Sequence, residues 1–110
     1  MIDHHCPQSE YSREFLEGML NRCAVSLHKY GPVKDAFPWK VDAMKCVAER
    51  LELYKQTKNT EHLIDAANYL MFEFMHPSLF GAKFEPTDSD QSPGRACYGT
   101  MARFKRNEDL

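Results

Sequence analysis

Four carboxylates crowd the middle of the chain: Glu49 and Glu52 in the run ERLE, Glu61 and Asp65 in the run EHLID. Residues three or four apart on a helix share a face, so the members of each pair project together. If the two runs lie on adjacent antiparallel helices, all four acids face one gap. Such a gap suits Mg2+, a hard cation that takes oxygen ligands. A bound Mg2+ orients and neutralises a phosphate chain and activates a water. His62 and Lys58 stand where they add contacts to that phosphate. The competing expectation is a charged helix face turned to solvent, with Lys45 four residues before Glu49.

Asp65 also belongs to the stretch that organises the chain, Thr60 to Pro77, TEHLIDAANYLMFEFMHP. Leu63, Ile64, Ala67, Leu70, Met71 and Phe74 recur at helical spacing and form a broad apolar face. Thr60 or Asn59 caps the start, Glu61 suits the first turn, and Pro77 forbids continuation. From Ala66 onward only Asn68 and Glu73 are polar within the helix. A helix apolar nearly all round is enclosed by protein, so Asp65 and Asn68 are expected in a covered zone. Polar groups there need partners. They are either a cap-side carboxylate and a core asparagine satisfied by backbone, or part of a ligand or metal site.

Two further helices are needed to position that stretch. The first spans Ser9 to Tyr30, with Ser9 or Ser12 as cap and a stripe of Phe15, Met19, Cys23 and Leu27, and Leu16, Leu20 and Ala24 beside it. His28 and Lys29 suit its last turn, and Gly31 with Pro32 stops it. Gly18 within it marks a close helix crossing. The second runs from Lys40 to about Lys58 on Val41, Met44, Val47, Ala48, Leu51 and Tyr54. A short turn at 58–60 makes helices two and three a hairpin. Between helices one and two, GPVKDAFPW is a loop that exposes Lys34 and Asp35. Its Phe37 and Trp39 either plug the end of a bundle or form a stacking platform for a base. Lys34, Trp39, His62 and Asn68 are thus the candidate ligand contacts.

Composition narrows the classes. One hundred and ten residues make one domain, with 43% hydrophobic and 12% aromatic residues. A net charge of −2 argues against a nucleic-acid binder held by bulk electrostatics. No apolar run approaches a membrane span, and the polar start MIDHHCPQSE does not read as a signal peptide. Cys6, Cys23, Cys46 and Cys97 match no zinc or disulfide spacing, which points to reduced thiols and a cytoplasmic protein. Residues 1–8 read as a flexible arm; its adjacent His4, His5 and Cys6 lack a second cluster to complete a tetrahedral metal set. Residues 9–84 read as the helical domain, and 85–110 as an irregular loop and polar tail. In that tail Asp88, Asp90 and Ser92 alternate like a calcium loop, but Pro93 stands where the loop needs glycine. Tyr98, Met101 and Phe104 are spaced for one short helix.

The expected architecture is therefore all-α: three main helices with a central helical hairpin and an irregular C-terminal segment. Three such helices cannot cover an all-round apolar third helix, so a homodimer or higher oligomer through residues 60–76 is expected.

The runs ERLE and EHLID resemble a shortened version of the MazG-like all-α nucleoside triphosphate pyrophosphohydrolases, over roughly residues 41–76. That family holds Mg2+ with an E-E-x-x-E helix and an E-x-x-D helix. The resemblance implies Glu49, Glu52, Glu61 and Asp65 as metal ligands and nucleotide pyrophosphohydrolysis as the activity. Ala48 stands where the family has its first glutamate, and three residues rather than two separate Glu61 from Asp65. LIDAANYLMFEFMHP and DSDQSPGR also look like stretches of small uncharacterised proteins of phages and their bacterial hosts. Three readings follow: a Mg2+-dependent pyrophosphohydrolase, a non-catalytic module for a nucleotide-like small molecule or a protein, and a structural protein whose partner covers the apolar helix.

Overall fold

A computed structural model describes residues 5–87, and these form helices and turns with no strand among them. Helix α1 spans Arg13–Tyr30, α2 spans Ala43–Thr57 and α3 spans Glu61–Met75, with short 3-10 turns at Gln8–Glu10 and Val33–Asp35. The calcium-like alternation at 88–92 and the short helix expected around Tyr98 to Phe104 lie outside the described residues, as does His4.

Each boundary has a local cause. Ser12 Oγ accepts from the Phe15 N–H at 2.9 Å and starts α1, three residues later than a start at Ser9. Residues 8–10 turn as a 3-10 helix instead, and Tyr11 is extended, which breaks continuity with α1. Gly31 ends α1 with a positive φ of 88° while its N–H reaches the Leu27 carbonyl at 2.9 Å. Asp42 caps α2 by accepting from the Lys45 N–H at 3.1 Å, so α2 starts at Ala43 and not Lys40. Lys40 and Val41 are held back in the loop by bonds from their N–H groups to the Ala36 carbonyl. Lys58 closes α2 in the left-handed region, at φ 61°. At the start of α3 the Asn59 side chain, not Thr60, accepts from the Glu61 N–H at 3.0 Å.

Helix α3 packs against both other helices. A Cβ placed on Gly18 of α1 would lie 2.8 Å from Ile64 Cδ1 of α3, so glycine there permits the close crossing. Phe37, carried by the loop after α1, is buried with Ala43 of α2 and Phe72 of α3. Its ring stands 5.1 Å from that of Phe72, which meets Tyr69 edge-on. Phe37 is the plug the sequence suggested. Trp39 is not: it is 81% exposed.

The expected enclosure of α3 holds on one side and fails on the other. Asp65 and Asn68 are covered, at 8% and 6% exposure. Leu70, Phe74 and Met75 remain exposed, because in a single chain α1 and α2 reach only the polar-bearing side of α3. The stripes on α1 and α2 are likewise half used. Met44, Leu51, Leu16, Leu20 and Leu27 are exposed, and α1 contributes no buried residue at all.

Candidate functional site

Arg22 and Asp65 form the centre of a polar cluster that joins the three helices. Arg22 Nε donates to Asp65 Oδ1 at 3.0 Å and its Nη2 to Oδ2 at 3.3 Å, a bidentate pair between α1 and α3. The third arm of the same guanidinium, Nη1, donates to Glu61 Oε2 at 3.1 Å. Arg50 of α2 approaches the same carboxylate, with Nη1 3.6 Å from Asp65 Oδ2. One buried carboxylate thus collects a cation from each flanking helix. The hydrogen bonds to Asp65 raise the Arg22 pKa above its ordinary value, against the opposing pull of burial.

One turn along α3, Asn68 ties the same two helices. Its Nδ2 donates to the Met19 carbonyl at 3.1 Å, and its Oδ1 accepts from the Cys23 thiol at 3.6 Å. Burial pushes the Cys23 thiol up. Asn68 is therefore a core asparagine with backbone and thiol partners, and it also borders an open space.

That space is an open cavity of about 370 Å³, lined by the apolar rings of Phe37, Tyr69 and Phe72 and by the charged groups of Arg22, Arg50 and Asp65. Tyr30 and Lys29, from the end of α1, complete the wall. Lys29 Nζ stands 5.7 Å from the Tyr30 ring centre. Three cations line the cavity against one carboxylate, in a chain whose net charge is −2. The size lies within the range of small-molecule sites.

The other sequence candidates fall elsewhere. Glu49 and Glu52 are exposed on α2, and Glu52 accepts from Gln56 at 3.2 Å. Glu61 is exposed and engaged by Arg22. Lys34 is exposed and reaches its neighbour Asp35 at 3.8 Å. Neither Lys34, Trp39 nor His62 lines the cavity; His62 is half-buried, with its Nδ1 covered and without a hydrogen-bond partner among the described residues. Of the eight candidates, only Asp65 and Asn68 share the cavity wall. Among the described residues no three carboxylate, histidine or thiol groups gather where one metal ion would sit. In this arrangement Asp65 pairs with Arg22 and lies near Arg50, and Glu61 pairs with Arg22.

No family model, curated protein or solved structure matches the chain. No helix among the described residues is long and apolar enough to cross a membrane.

Sequence reasoning passed over Arg22, Arg50 and Lys29. A signal was present: Arg22, Ser26 and Lys29 fall four and three apart, so they share a face beside the apolar stripe of α1. An aspartate expected under cover needs a cation, and Arg22 was the interior candidate on α1.

Proposed function

We propose that the chain is a small-molecule-binding module whose cavity takes an anionic ligand with a planar ring, a nucleotide-like molecule. The observation that carries this reading is the cavity itself: arginines from two helices and Lys29 converge beside the aromatic wall of Phe37, Tyr69 and Phe72. Arg50 lines the cavity and approaches Asp65 at 3.6 Å through one nitrogen, which leaves further N–H donors of its guanidinium for a ligand. Lys29 supplies a second cation at the rim, and Tyr69 and Tyr30 offer ring faces to a base. In this reading α2 and α3, joined through Lys58–Thr60, act as an antiparallel hairpin that brings Arg50 and Asp65 to one wall.

A second reading is Mg2+-dependent nucleotide pyrophosphohydrolysis, as the likeness to the MazG-like enzymes implies. What favours it is that Glu61 and Asp65, one turn apart, already converge on one cation, Arg22. A thermal-shift screen of nucleotides with and without Mg2+, joined to an assay of pyrophosphate release, separates the two. The binding-module reading expects a raised melting temperature that does not depend on Mg2+, without pyrophosphate release, because a ligand of the native state stabilises it. Release that requires Mg2+ and is lost in Glu61→Gln supports the second reading instead. No shift with any nucleotide under either condition contradicts both.

A further inference from the structure

We propose that the side of the helical layer opposite the cavity is a homodimer interface, in which α1 of one copy packs antiparallel on α1 of a second copy. This inference stands apart from the ligand reading, since none of its residues lines the cavity.

Leu16, Leu20 and Leu27 are spaced by four and seven residues and fall in one narrow stripe of α1. Arg22 marks the cavity side of that helix and Gly18, Met19 and Cys23 meet α3, so the stripe flanks the Cys23 edge and turns away from the cavity side. On α3, Ile64 and Asn68 meet α1 while Asp65 and Tyr69 face the cavity. That leaves Leu70 and Phe74 on the same far side as the leucine stripe, where the Phe74 ring meets Phe84 edge-on at 6.4 Å and stays 70% exposed. Leu20 is 67% and Phe74 70% exposed, and the other three are about half exposed. Taking roughly 200 Å² for a fully exposed large side chain, these five present on the order of 600 Å² of apolar surface. A stable interface uses about 800 Å² per partner, so their polar margins supply the remainder.

Two observations select a second copy as the occupant. The first is the thinness of the fold: no large side chain among the described residues is fully buried, and α1 has no buried residue, so the chain gains its missing core by pairing. The second is charge. Glu17 and His28 border the leucine stripe on the edge of α1 away from α3, near opposite ends of the helix. A two-fold axis across α1 sets like edges side by side with the helices reversed, so Glu17 of one copy meets His28 of the other. A parallel two-fold pairing would set this edge against the opposite edge of the partner helix, so Glu17 and His28 would not meet.

Sedimentation equilibrium of the full chain over micromolar concentrations tests this. The mass is expected to rise with concentration to twice 12.8 kDa. Leu20→Glu, at a side chain 67% exposed in the single chain, is expected to weaken the dimer by on the order of a hundredfold while helical circular dichroism is kept, since each dimer would bury two unpaired carboxylates. Glu17→Cys with His28→Cys is expected to give, under mild oxidation, a covalent dimer whose linked peptides join position 17 to position 28. Within one helix those positions lie about 16 Å apart and cannot bond. A chain that stays at 12.8 kDa at every concentration overturns the proposal, leaving the face to residues 88–110 or to a different protein. A dimer that tolerates Leu20→Glu, or that links only 17 to 17, overturns the interface or its antiparallel sense.

Discussion

Asp65 of α3 receives both a side-on guanidinium from Arg22 of α1, at 3.0 and 3.3 Å, and a second cation from Arg50 of α2 at 3.6 Å. One carboxylate therefore meets a cation from each flanking helix, beside the Asn68 ties to α1. Removing it takes the shared carboxylate from both guanidinium groups and leaves Glu61 as the remaining acid on Arg22. Arg22 keeps close to half of its side chain in water, which limits the penalty. Asp65→Ala is expected to cost about 1–3 kcal/mol of stability in urea unfolding. Arg22→Ala in the Asp65→Ala background is expected to cost less than Arg22→Ala alone, the mark of direct coupling. Additive costs would contradict it.

Lys58 carries a left-handed backbone at the end of α2, where its N–H reaches the Tyr54 carbonyl at 2.7 Å. A non-glycine residue strains in that region, and glycine does not. Lys58→Gly is expected to raise stability by about 0.5–1 kcal/mol, read as a higher urea midpoint at unchanged slope. A lowered midpoint would contradict this account of the turn.

The half-buried Cys23 thiol has its pKa raised above the ordinary 9.0 by desolvation. The unfolded chain then loses this proton first as pH rises, so the native state binds more protons above that value. Stability attributable to Cys23 is whole below the unfolded thiol pKa and is lost as pH climbs from there through the folded value. Cys23→Ala is expected to flatten that part of the alkaline stability profile. In the same protein at neutral pH, Cys23 is expected to alkylate more slowly than exposed Cys6, by peptide mass spectrometry. Equal rates at the two cysteines would contradict the burial argument.

How much of this was legible in the sequence differs by level. The three helices follow from their apolar periodicity, and the stop at Gly31 and the end before Pro77 follow from local chemistry that no tertiary contact overrides. The starts were less legible, because Ser9 and Ser12 are equal as caps in sequence and only Ser12 reaches a backbone N–H. The cover over Asp65 and Asn68 followed from the apolar surroundings of α3. Their partners did not, since Arg22 stands 43 residues from Asp65 and helical spacing within one element says nothing of which cation crosses to it. The acid pairs illustrate the same limit. E-x-x-E and E-x-x-x-D spacing places each pair on one face of its own helix, but whether the two faces meet depends on how the helices are rotated. Here the acid of α3 turns toward arginines.

The proposed occupant of the cavity between the arginines and the aromatic rings is an anionic ring-bearing ligand. Isothermal titration of a nucleotide panel into the full chain and into Lys29→Ala tests it most directly, because Lys29 lines the cavity yet takes no part in the Asp65 cluster. The account predicts saturable heat with at least one nucleotide and about tenfold weaker binding in Lys29→Ala, for the loss of one charge contact worth about 1.4 kcal/mol. Absence of heat with every nucleotide, or binding that Lys29→Ala leaves unchanged, would contradict it.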